Sequence, residues 1–147
     1  GREFRYDLSD YRLLSWRWRV RALPKGGDES GRATNDSAAG LYVCFKGSSL
    51  LPYCLKYVWS SSLAPGTVLP SPHRRATKVM VLRSGQAGLG AWQQEKRNVY
   101  EDYLKVFGAA RAASPAGFAI LTDSDDTRSA AAADYAGITV SRSAPVK

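Results

Sequence analysis

The sequence is poor in the residue types that most often carry chemistry. Two cysteines, one histidine and one methionine occur in 147 residues. Cys44 and Cys54 are too few for a four-cysteine zinc site or a disulfide-stapled miniprotein. The lone histidine, His73, lies in the proline-bounded basic loop Ser71-Pro72-His73-Arg74-Arg75. A Ser–His–Asp or Cys–His centre would have to use it as base, and a solvated loop histidine is the simpler reading. No apolar run approaches the roughly 18 residues of a membrane helix, and no charged-then-apolar leader with a cleavage site stands at the start. The chain opens on Gly1, so a leader or N-terminal stretch already removed is expected. Phosphate-binding loops are missing too. Gly85, Gly88 and Gly90 lack the Lys-Ser/Thr ending of a nucleotide loop and open no helix after a dinucleotide-fold strand.

Acid is also scarce relative to base. Thirteen Asp and Glu stand against 21 Lys and Arg, giving a formal charge of +8 and a pI near 9.7. That balance favours anionic partners such as acidic polysaccharide, nucleic acid or a membrane surface. The charge is spread along the chain rather than gathered in an arm, which makes nucleic acid the weaker choice. What the chain does have is apolar material. At 44% hydrophobic it can build a core, and its length fits one domain over 1–147.

Periodicity defines most of the elements. Leu14, Trp16, Trp18, Val20 and Ala22 alternate strictly with Ser15, Arg17, Arg19 and Arg21, which predicts a strand with one buried face. Runs at 41–45, 55–59, 78–83, 118–122 and 138–140 predict further strands, with a short one from Trp92 to Lys96. Residues 25–40 and 60–76 read as loops. Val99, Tyr103, Val106 and Phe107 form one apolar stripe, predicting a single helix over about 97–107, capped by Asn98 and Gly108. The four alanines at 130–133 suit one helical turn. Strands do not alternate with helices, so the expected fold is mainly β, an antiparallel jelly-roll-like β-sandwich with one short α-helix.

These segments resemble a bacterial family of uncharacterised proteins, the domain of unknown function 3047 family. The resemblance is carried by Trp16-Arg17-Trp18-Arg19-Val20, by Asn35-Asp36-Ser37-Ala38-Ala39 leading into Tyr42-Val43-Cys44-Phe45, and by Leu55-Lys56-Tyr57-Val58-Trp59. It continues through Val81-Leu82-Arg83-Ser84-Gly85, through Arg97 to Tyr103 with Phe107-Gly108, and through Ile120 to Thr127. Asn35 stands where the family tends to show a second acid beside Asp36. Similar proteins carry more sequence ahead of the Trp-Arg-Trp strand. The resemblance implies an exported protein, periplasmic or secreted, with a sandwich like those of carbohydrate-binding modules; it implies no particular reaction.

The residues themselves offer one surface. Arg17 and Arg19, on the polar side of the first strand, with Arg83 ending a later one, can form a cationic row for carboxylates, sulfates or sugar hydroxyls. Asp36, Asp123 and Asp125 would orient them or accept hydroxyls. Trp16 and Trp18 share a face with Leu14 and Val20 and read as core, while the exposure of Trp92 is open. The acidic turn Thr122–Thr127 has hard oxygen ligands but not the EF-hand spacing. Its simpler role is to pair with the arginines of the first strand. Cys44 and Cys54 either pair across adjacent strands, if their α-carbons come within about 7 Å, or stay free. No cofactor or metal is called for. The expected function is non-catalytic recognition of a carbohydrate or anionic ligand. The alternatives are a structural subunit packing on other chains or on itself, and a glycoside-processing enzyme. The latter needs two carboxylates about 5 to 9.5 Å apart, with Asp36 and Asp123 or Asp125 as the pair.

Overall fold

The structure, a computed structural model, describes residues 12–46, 53–74, 76–108, 114–121 and 132–142. Chain order is β1 (Leu13–Ala22), β2 (Ala39–Lys46), β3 (Tyr53–Ser60), β4 (Val68–Pro70), β5 (Thr77–Ser84), β6 (Gln93–Asn98), α1 (Val99–Phe107), β7 (Ser114–Leu121) and β8 (Ala132–Ser141). Two sheets result. A three-stranded sheet has the order β6-β1-β8, and a five-stranded sheet the order β4-β5-β3-β2-β7.

The alternation of β1 is realised as read. Leu14, Trp16, Trp18 and Val20 are buried, and Arg17 and Arg21 are exposed. The indoles reach the opposite sheet. Trp16 packs on Tyr57 with ring centroids 5.5 Å apart, and Trp18 on Trp59 at 6.3 Å. Each such ring removes enough apolar surface to contribute about 1.5–3 kcal/mol. The Nε1 atoms of Trp16 and Trp18 are buried with no hydrogen-bond partner among the described residues. Leaving an indole N–H dry offsets part of that gain, by about 1–3 kcal/mol. A Gly40 amide donating to the Tyr135 hydroxyl at 3.1 Å adds a polar tie between β2 and β8.

Helix α1 closes one end of this core. Asn98 Oδ1 accepts from the Glu101 amide at 3.0 Å, and the Gly108 amide returns to the Leu104 carbonyl at 3.0 Å. Gly108 stands at φ +81°, a left-handed conformation that favours glycine. Val99 and Tyr103 are buried, and Tyr103 lies 4.8 Å from Phe45 and 5.3 Å from Phe107. Asp102, buried on the same helix, accepts from Arg97 Nε and Nη2 at 3.0 and 2.7 Å and from the Tyr57 hydroxyl at 2.8 Å. The Asp102 hydrogen bonds hold the Arg97 guanidinium above its ordinary pKa.

The larger sheet departs from the expected antiparallel pattern. β3 and β5 pair in parallel, and β4 lies antiparallel on the far side of β5. Parallel neighbours need a crossover of a dozen or more residues, and residues 61–76, read as a loop, supply it. On the way this segment forms β4 and covers Val58, Val79 and Val81 with Leu63 and Leu69. The larger sheet is thus packed on both faces in this region. The four-alanine segment is also corrected: Ala132 and Ala133 open β8, where pairing with Ala22 and Val20 replaces the helical turn. β7 begins at Ser114, four residues before the strand expected over 118–122; Pro115 sits on the sheet edge at a register shift, where its missing N–H costs least.

Cys44 and Cys54 face each other across β2 and β3, with α-carbons 4.0 Å apart, and form a disulfide. The loop before β2 is held by serines. Glu29, fully buried, accepts from Ser37 Oγ at 2.8 Å and Ser60 Oγ at 2.6 Å. Ser61 and Ser62 donate to the carbonyls of Pro24 and Gly27. Burial pushes the Glu29 carboxyl above its ordinary range, against the opposing pull of the two hydroxyls and of Lys56.

Candidate ligand-binding face

The outer face of the three-stranded sheet follows from the register. Arg17 lies opposite Gln94 on β6 and Ala136 on β8, while Arg19 lies opposite Asp134, and Ser15 opposite Lys96. Residues directly opposite share a side of the sheet. Arg17, Arg19, Arg21 and Lys96 are therefore gathered on one surface with Asp134 as the acid among them.

Trp92, just ahead of β6, completes this surface. It is 42% exposed, the most open large apolar side chain among the described residues. The guanidinium carbons of Arg19 and Arg17 stand 4.9 and 5.5 Å from its ring centroid. Both are within the roughly 6 Å over which an indole attracts a cation. Trp16, Trp18 and Trp59 are fully buried, so Trp92 is the tryptophan left for a ligand.

The arginines are not equivalent. Arg19 donates from Nε and Nη2 to Asp134 Oδ2 at 3.0 and 2.8 Å, and Arg21 Nε lies 3.1 Å from the same oxygen. Arg17 has no acidic partner among the described residues. It sits where β8 gains one residue against β1 between the Ser15–Thr139 and Arg17–Ala136 pairs. Gly137, at φ +62°, makes that bulge, and a Cβ there would lie 3.7 Å from Arg17 Nε. The positive φ is what favours glycine here; the 3.7 Å spacing is an ordinary contact that a side chain's Cβ would also make.

The other expected site residues lie elsewhere. Arg83 ion-pairs with Glu95 and lies 5.9 Å from the Trp59 ring. Glu95 is opposite Trp16, on the inner side of its strand, so Arg83 bridges the two sheets and does not join the outer row. Asp36 is fully buried on the way into β2, out of reach of a ligand on the outer face. Asp123, Asp125 and the rest of the acidic turn lie outside the described residues. The acid that meets the first strand's arginines among the described residues is Asp134, which the sequence reading missed. Its signal was weak: one carboxylate in an alanine-rich stretch whose alternation the Gly137 bulge breaks. Among the described residues no group of three or more His, Cys, Asp or Glu side chains is placed to hold a metal ion, and no helix is long and apolar enough to cross a membrane.

These features define a mainly β, disulfide-bonded protein with a cationic, tryptophan-bearing sheet face. The chain belongs to the family described as protein of unknown function (DUF3047), whose model matches residues 1–139. No curated protein matches it.

Proposed function

We propose that the outer face of the three-stranded sheet binds an anionic ligand without catalysis, an acidic saccharide being the class that fits best. The observation that carries this reading is the exposed Trp92 indole attended by Arg17 and Arg19. Beside the ring, the Arg17 guanidinium has no acidic partner among the described residues and offers its donors to a carboxylate or sulfate, while Arg19, tied to Asp134 through Nε and Nη2, adds charge. A neutral sugar would have to compete with two cations for the same ring, so charge, not stacking alone, is the basis of selection. The disulfide supports residence in an oxidising compartment, periplasmic or extracellular. The contact of the two sheets through facing aromatic rings supports a sandwich of jelly-roll type, with the parallel β3–β5 pair as its departure from that pattern. The glycoside-processing alternative draws no support from Asp36, since a fully buried carboxylate does not face a second one across an open cleft.

Calorimetric titration with heparin as the acidic probe and dextran as the neutral one tests the proposal. Binding of heparin that weakens with salt, is lost in Arg17→Gln, and has no counterpart with dextran is expected. Equal binding of both polymers, or of heparin by wild type and Arg17→Gln, would overturn it.

A further inference from the structure

The turn joining β5 to β6 has a composition that anion binding does not explain. Every residue from Gln86 to Trp92 is exposed, and none is charged. Two of the three exposed large apolar side chains among the described residues lie in it, Leu89 at 38% and Trp92 at 42%. Single exposed apolar residues are ordinary. Two within four residues, on an uncharged turn that supplies no strand, are less so.

The three successive amides around Leu89 are paired within the protein. The Leu89 amide donates to the Gln86 carbonyl at 3.0 Å, the Ala91 amide to Gly88 at 3.2 Å and the Gly90 amide to Val20 at 2.8 Å. Gly88 and Gly90, at φ +80° and +83°, make those bonds geometrically accessible. Amides paired within the protein lose little on leaving water, whereas unpaired ones are costly in an apolar medium. The Gly90–Val20 bond also fixes the turn beside the end of β1, between Arg19 and Arg21 in sequence. An uncharged apolar turn is thereby set next to the cationic row.

We propose that this turn is a membrane-contact loop. Leu89 and Trp92 enter the interfacial zone of an anionic bilayer while Arg17, Arg19 and Arg21 meet its headgroups. Tryptophan favours that zone because its ring is apolar and its N–H stays wet. Each basic side chain near an anionic surface adds attraction that salt screens. The proposal goes beyond the acidic-saccharide reading, and its arginine half rests on the same anion-binding face, with lipid headgroups in place of the saccharide. The apolar half rests on the turn alone.

The test compares vesicles of phosphatidylcholine with vesicles containing about one-third phosphatidylglycerol, with soluble heparin as a parallel arm. The full chain is expected to sediment with the anionic vesicles, with a blue shift of tryptophan emission, and not with phosphatidylcholine alone. Leu89→Gln, which keeps both neighbouring glycines, should weaken vesicle binding about tenfold and leave heparin affinity unchanged. Arg17→Gln should weaken both. Vesicle binding unaffected by Leu89→Gln overturns the loop. Heparin binding without vesicle binding also overturns it and leaves the anion-binding face standing. Binding of neither overturns both, and vesicle binding that survives Arg17→Gln while Leu89→Gln abolishes it would retain the loop and reject the arginine face.

Discussion

Replacing Asp102 with alanine is expected to be among the most costly single changes outside the aromatic core. The carboxylate is buried and accepts three hydrogen bonds, two from Arg97 and one from the Tyr57 hydroxyl. Breaking a fully buried ion pair costs about 3–5 kcal/mol, because the partner charge is left uncompensated. Arg97 is not fully buried: its side chain is 36% exposed and can turn toward water. Solvent therefore relieves part of its loss. Tyr57 is fully buried, and losing its hydroxyl's bond to Asp102 costs about 1–1.5 kcal/mol more. Together these place Asp102→Ala at about 3 kcal/mol. With a urea m-value of about 2 kcal/mol/M, the unfolding midpoint falls by about 1.5 M. Tyr57→Phe should lower it by about a third as much. In the double variant the two losses should fall short of their sum, because both remove the same bond. A shift below about 0.4 M for Asp102→Ala, or strict additivity with Tyr57→Phe, would refute the reasoning.

Two further outcomes follow from the same structure. Reducing the Cys44–Cys54 bridge, which closes a separation of 10 residues, should cost about 2.7 kcal/mol from restored chain entropy, read as a lower urea midpoint in dithiothreitol; the Cys44→Ser/Cys54→Ser variant should reproduce the loss. Glu29 titrates above its ordinary range when folded, so the folded state holds that proton more tightly than the unfolded one. Its contribution is therefore fully favourable below the ordinary carboxyl pKa and is lost as pH rises through the folded value. Glu29→Gln should flatten this part of the stability profile, with thermal melts in that window as the readout.

The sequence made some elements plain and concealed others, for definite physical reasons. β1 was legible because five inward apolar positions alternate with four polar ones over an unbroken strand. The helix was legible because its apolar stripe and both caps are local features. β4 is three residues ending in Pro70, too short for a period to show. The bulge at Gly137 breaks the alternation of β8, and β7 carries Pro115 and Gly117 where a strand pattern is looked for. The parallel pairing of β3 with β5 depends on where residues 61–76 lead the chain, and no short-range pattern records that. The same limit applied to the site. The outward arginines were visible in β1, but their acidic partner was decided by the β1–β8 register, which brought Asp134 to Arg19. The exposure of Trp92 likewise depends on how the preceding turn seats against Val20.

The most direct measurement is acrylamide quenching of tryptophan fluorescence during titration with heparin, in wild type and Trp92→Phe. Three of the four tryptophans are fully buried, so the quenchable emission belongs mainly to Trp92. The account predicts that heparin shields this emission and that the shielding disappears in Trp92→Phe. Heparin binding that leaves Trp92 as open to acrylamide as before would contradict it.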